Sequence, residues 1–143
     1  MSYCKHDVPL EMSCNRCEEH GIGQAGIGDV TSTVKGSGAR YNGGKPDMSL
    51  IPLSTLEDEA RVWMYGKAKY AAWNWAKGMP WSVPFACLMR HLAAWQRGEE
   101  NDAESGLPHL AHAMCNLRML TFYAKGYPAG DDRPPAEYFD EVR

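Results

Sequence analysis

The stretch from Arg90 to Asn116, RHLAAWQRGEENDAESGLPHLAHAMCN, constrains the fold of this chain more than any other. Two segments with helical spacing are joined there by a short turn around Ser105, Gly106 and Pro108. A connection that short makes the two helices antiparallel neighbours. The stretch carries three histidines and four acidic residues. His91 and Asp102 are eleven residues apart, close to three helical turns, so they share a stripe if the first helix runs through Gly98. Glu99 lies on the neighbouring flank. On the second helix His109, His112 and Asn116 fall at steps of three and four. Carboxylates and imidazoles that converge are costly to desolvate, and a divalent cation is their usual partner. His91, Glu99, Asp102 and His109 are therefore the candidate metal ligands. Glu100 and Asn101 read as solvated, and His112 as a satisfied core or surface residue.

The rest of the chain supplies helices to pack against this pair. A first helix is expected from Ser54 or Thr55 to about Tyr70, with Leu56, Ala60, Trp63 and Met64 as its apolar stripe. The second should start near Ser82, with Pro84 in its first turn and Phe85, Leu88, Leu92 and Trp95 at helical spacing. The third should start near Leu107 and run to Gly126, lined by Leu110, Met114, Leu117 and Leu120. No strand ladder or internal repeat is evident, so the fold class is all-α. The organisation is a cysteine-rich unit over 1–20, a Gly/Ser/Thr-rich linker over 21–38, a helical domain over 39–126 and an extended tail over 127–143, with at most one short helical turn. Three helices of this length leave apolar faces and five tryptophans poorly covered, and a homo-oligomer, dimer or tetramer, would cover them.

Cys4, His6, Cys14 and Cys17 make a Cys3His set with a Cys-x-x-Cys bite, the donor set of a structural Zn²⁺ site. A segment with so little core would take its folding free energy from the metal. Adventitious thiols on a tail are the alternative, and His20 competes for the role of His6. Cys87 and Cys115 read as buried thiols. A net charge of −3 argues against a dedicated nucleic-acid binder. No apolar run reaches the ~18 residues of a membrane span, and the N-terminus lacks a signal-peptide core, so a cytoplasmic protein is expected.

The strings ARYNGGKPDMSLIP, EARVWMYGKAKYAAWNWAKG and RHLAAWQRGEENDAESGLPHLAHAMCN, taken in order, resemble the phage and bacterial dATP/dGTP diphosphohydrolase family. That family is related to the MazG-type all-α nucleotide pyrophosphohydrolases and includes the MazZ proteins. The likeness runs from about Ala39 to Lys125. It implies a helical bundle of that type, and Mg²⁺- or Mn²⁺-dependent cleavage of a purine deoxynucleoside triphosphate to the monophosphate and pyrophosphate. It also implies control of a nucleotide pool, in the host cytoplasm if the chain is phage-encoded, and substrate contacts from Arg40 and Asn42. One departure stands out. MazG-type enzymes carry Glu-x-x-Glu and then Glu-x-x-Asp, whereas only Glu99-x-x-Asp102 keeps an acidic pair here, followed by His109 and His112.

Within that chemistry, Glu99 and Asp102 suit a hard cation, with Glu104 as a further ligand or base. His109 favours Mn²⁺ over Mg²⁺. Lys45, in a Gly-Gly-Lys-Pro loop, heads the candidates for phosphate, with Lys67, Lys69 and Arg90 behind it. Asn74 and Trp75 are the candidates to pair with and stack on a base, which leaves Trp63, Trp73, Trp81 and Trp95 to packing. Two rivals remain: an HD-type nucleotide phosphohydrolase with a His and Asp metal centre, and a non-catalytic zinc-knuckle adaptor.

Overall fold

The computed structural model describes residues 38–140. The proposed zinc ligands Cys4, His6, Cys14 and Cys17, and the linker up to residue 37, lie outside the described residues. The chain divides into two compact units, Met1–Ile51 and Pro52–Arg143.

Of the first unit, residues 38–51 form a loop and a single 3-10 turn, Met48–Leu50. Gly44 takes a left-handed φ of 73° and lets the Lys45 N–H reach the Asn42 carbonyl at 3.0 Å. Asp47 caps the turn by accepting from the Ser49 N–H at 3.0 Å.

The second unit is built of helices joined by loops, and no strand forms among the described residues. Its helices are α1 (Leu53–Lys69), α2 (Ser82–Gln96), α3 (His109–Gly126) and a short α4 (Glu137–Asp140). Helix α1 starts at Leu53, one or two residues before the expected site, on Pro52, with no side-chain cap. It ends with Lys67 and Lys69 in its last turn, where the carbonyl end of the helix favours cations. Pro84 sits in the first turn of α2, where a missing N–H costs nothing, and is fully buried. Helix α3 is central, packing along α2 and against α1.

The buried faces are not the expected leucine stripes. On α2 it is Pro84 and Ala94 that go inward, while Phe85, Leu92 and Trp95 are exposed. On α3 the buried set is His109, Ala111, His112, Ala113, Cys115 and Tyr123, and Leu110 and Leu117 face out. On α1, Glu59 and Val62 are buried, and Ala60 and Met64 are exposed. Small residues on α3 let its neighbours approach closely, and the core is correspondingly small: Val62, Ala111 and Cys115, flanked by Trp63, Leu107 and Met119. Burial pushes the Cys115 thiol up to about 12, so it packs as an inert apolar group.

Glu59 is the buried charge of the core. It is matched by a two-pronged bond from Arg118 (Nη2 at 2.7 Å) and by the Trp63 indole N–H at 2.9 Å. These bonds, led by Arg118, hold its carboxyl below the usual range against the opposing effect of burial.

After Gly126 the chain turns back through a 3-10 turn, Pro128–Gly130, and docks on the start of α2. The Trp81 N–H donates to the Gly130 carbonyl at 2.9 Å, its indole N–H donates to the Tyr127 carbonyl at 3.1 Å, and Asp132 caps Ser82 N at 2.8 Å. The Tyr127 ring lies so close to Gly78 and Gly130 that an added Cβ would come within 2.6 Å and 2.4 Å of it.

Candidate metal centre and nucleotide cavity

The loop between α2 and α3 builds the site. Helix α2 stops at Gln96, earlier than a shared His91–Asp102 stripe requires, because Gly98 adopts a left-handed φ of 92°. The loop then closes on itself. Glu99 N bonds to the Ala94 carbonyl at 3.1 Å, Asp102 N to the Leu107 carbonyl at 2.9 Å, and His109 N to the Glu100 carbonyl at 2.9 Å. This fold-back, rather than helical register, carries Asp102 to His91.

One ligand-type atom from each of His91, Asp102 and His109 lies within 4.8 Å of the others. The two Nδ1 atoms of His91 and His109 are 2.9 Å apart. Two imidazole nitrogens at that spacing share either one proton or one cation. Adjacent ligands around an octahedral ion with ~2.1 Å bonds would sit about 3.0 Å apart, so the pair fits a divalent metal. His109 Nε2 is buried with no hydrogen-bond partner, and the nearest carboxylate oxygen, on Glu99, is 3.9 Å away.

Asp102 is held by Ser105, whose N–H and O–H both reach its Oδ2 at 2.9 Å. The Ser105 oxygen also lies 2.7 Å from His112 Nε2 and accepts from Leu107 N at 3.2 Å. The hydroxyl has one proton and gives it to Asp102, so His112 Nε2 must carry its own proton and donate. His112 in turn stacks on His91, centroids 4.4 Å apart and planes 10° from parallel.

The charges fit a cation. Burial, then the neighbouring His112, lowers the pKa of His91. Burial likewise lowers that of His112 against the pull of Asp102. Both imidazoles are thereby biased to the neutral form, the one in which His91 could ligate. For Asp102 burial opposes ionisation, but the Ser105 bonds and then His112 and His91 outweigh it and keep the carboxylate charged.

The remaining candidates divide. Glu99 is exposed and forked with Arg97 at 2.9 and 3.1 Å. Glu104 is exposed and bound by the Lys69 ammonium at 2.5 Å and the Tyr65 hydroxyl at 3.0 Å, with Lys69 holding it ionised. Arg90 reaches Cys87 Sγ at 2.9 Å. In the first unit, Arg40 and Lys45 are exposed, Asn42 is half-buried, and the Lys45 ammonium donates to the Tyr41 carbonyl.

Within the second unit, a cavity of about 1230 Å³ is lined by His91, Asp102, His109 and His112, by Lys69, Arg90 and Glu104, and by Asn74, Trp73 and Trp75. Trp75 is half-buried, 4.9 Å from Trp63 and edge-on to Phe122 at 5.0 Å. His112 is the buried, hydrogen-bonded residue that the sequence suggests. Ser105, which holds Asp102, is not singled out by the sequence, and Trp73, expected to pack, is exposed.

Fold and site together define a small helical protein in which ligand-type atoms of two histidines and one aspartate converge beside an aromatic-lined cavity large enough for a nucleotide. The chain belongs to the family described as dATP/dGTP diphosphohydrolase, N-terminal, which matches residues 35–133. It is 32% identical over 97 residues to the dATP/dGTP diphosphohydrolase of Salmonella phage PMBT28. The aligned part covers 68% of this chain and 33% of the relative, so the chain spans about a third of the relative's length. No solved structure matches it.

Proposed function

We propose that this chain hydrolyses purine deoxynucleoside triphosphates, dATP or dGTP, to the monophosphate and pyrophosphate with Mg²⁺ or Mn²⁺ at its His/Asp cluster. The observation that carries this reading is the convergence of His91, Asp102 and His109 on one cavity with an aromatic wall. His91, Asp102 and His109 would hold the cation, with Glu99 swinging from Arg97 to join them. The bound metal supplies charge neutralisation of the triphosphate and a lowered pKa for water.

The protein's own groups do the rest. Ser105 and His112 fix the orientation of Asp102 and His91. Lys69 and Arg90 line the cavity where phosphate charge must be met, and an entering phosphate competes with Glu104 for the Lys69 ammonium. Glu104, once released, would be free to take a proton from the attacking water. Asn74 offers an amide to a purine edge, and the aromatic wall offers a stacking surface. Cys4, His6, Cys14 and Cys17 are proposed to hold a structural Zn²⁺ on the strength of their spacing. Family membership supports the substrate class, through the printed name of the phage relative.

One observation favours a second reading. Two imidazoles to one carboxylate is a softer donor set than MazG-type acidic pairs supply, and resembles the His and Asp centres of HD-type phosphohydrolases. The test is a screen of nucleoside triphosphates with Mg²⁺ or Mn²⁺, with products resolved by chromatography. Pyrophosphate with dAMP or dGMP is expected. Release of inorganic phosphate or tripolyphosphate would favour the HD-type reading. Absence of turnover under every condition would defeat both and leave the adaptor.

A further inference from the structure

Trp73 is held in a conformation that its residue type disfavours. Its φ is 61° and ψ 14°, the left-handed region, where a bulky side chain is rare. Ala71, two residues earlier, also has positive φ, 151°. The bonds around the turn fix this geometry. Ala76 N–H donates to the Trp73 carbonyl at 3.0 Å, Asn74 N–H to the Ala71 carbonyl at 3.4 Å, and the Tyr123 hydroxyl to the Trp75 carbonyl at 2.5 Å.

The result is a large apolar ring directed outward. Trp73 is 73% exposed and lines the cavity that His91, Asp102 and His109 also line. Among the described residues its one aromatic neighbour is Trp75, at 6.0 Å and tilted by 39°. Trp75, by contrast, is occupied by Trp63, Phe122 and Tyr123. Burial would stabilise an indole, and a relaxed backbone would stabilise the turn. The turn forgoes both, and the product is an open π-face at the cavity.

We propose that Trp73 is the stacking platform for the purine base of the bound nucleotide, with Trp75 as the wall behind it. This rests on the nucleotide reading above and adds the residue that grips the base. A fused two-ring base covers an indole more fully than a pyrimidine does, so Trp73 also contributes to a purine preference.

The experiment compares Trp73→Gly, Trp73→Phe and the unaltered protein, full length, for dATP, dGTP and dCTP turnover, melting temperature and mass in solution. Glycine removes the ring and relieves the left-handed strain together. For Trp73→Gly the KM for dATP and dGTP should rise about tenfold, with kcat changed by less than about threefold and the purine preference reduced. The melting temperature should hold or rise, which the loss of a packing residue would not produce. Trp73→Phe should restore most of the affinity. A purine KM within about twofold of the unaltered protein's overturns this inference alone. So does a KM rise that comes with a lowered melting temperature or a changed oligomeric mass, since that marks a packing or subunit contact. Absence of turnover by the unaltered protein overturns the nucleotide reading and this inference with it.

Discussion

Asp102 is the residue on which the proposed metal site turns, because it is the carboxylate that the loop delivers to two imidazoles. Asp102→Asn keeps the shape and removes the charge. Turnover with Mn²⁺ is expected to fall by roughly 100-fold or more, with the circular-dichroism signal of the helices unchanged. Unchanged turnover would take Asp102 out of the site. Glu59 makes the opposite case, a buried carboxylate whose partners are all protein. Its Arg118 partner is half-exposed and can turn to water, so Glu59→Gln is expected to cost about 2 kcal/mol, less than a fully buried pair. The carboxyl lies below the usual 4.5 when folded. Its contribution is therefore complete above about pH 4.5 and is lost as the pH falls through the folded value. The difference between the thermal melts of the two proteins should be clear at pH 6 and narrow steadily as the pH falls below 4.5. A difference that does not narrow would show that charge is not what Glu59 supplies.

Two left-handed glycines set the ends of the elements that frame the site, and they should respond unequally to alanine. Gly98 ends α2 with open space around the position of a Cβ, so Gly98→Ala adds backbone strain alone, about 1 kcal/mol. Gly78 has φ of 91° and the Tyr127 ring 2.6 Å from that position, so Gly78→Ala also pushes the returning chain away. Its melting temperature should fall several degrees further than that of Gly98→Ala. Equal losses would mean that the ring moves freely. The elements themselves were legible in the sequence: prolines 84 and 108 and glycines 106 and 126 punctuate three helices, and the structure keeps each within two residues of the expected start. The convergence of His91, Asp102 and His109 was legible too, but its reason was not. Periodicity assumed a helix through Gly98, and the actual link is a set of loop backbone bonds that no residue pattern encodes. The buried faces were legible only in part: Trp63, Leu88, Met114 and Leu120 are half-buried as expected, but apolarity alone ranks Leu110 above Ala111, whereas close helix packing selects the smaller side chain. The docking of residues 127–133 on Trp81 carries no periodic signal at all.

At the scale of the whole molecule, the expected stripes that face outward become informative. Phe85 (54% exposed), Met89 (49%), Leu92 (36%) and Trp95 (44%) follow one another along α2 at steps of three and four, a continuous apolar strip with no cover in the described residues. Leu110 and Leu117 add a second strip on α3. Monomeric proteins rarely leave such surface open, and a helical unit with so small a buried core gains most from pairing its strip with a second copy. Self-association through α2 is thus the expected state. A single charge placed in the strip, Leu92→Glu, would have to be desolvated at the interface and costs little on an open surface. Light scattering should report an oligomer for the unaltered protein and a monomer for Leu92→Glu, with the helical signal retained in both. A monomeric unaltered protein at tens of micromolar would leave the strip exposed in solution and remove the argument for assembly from core size.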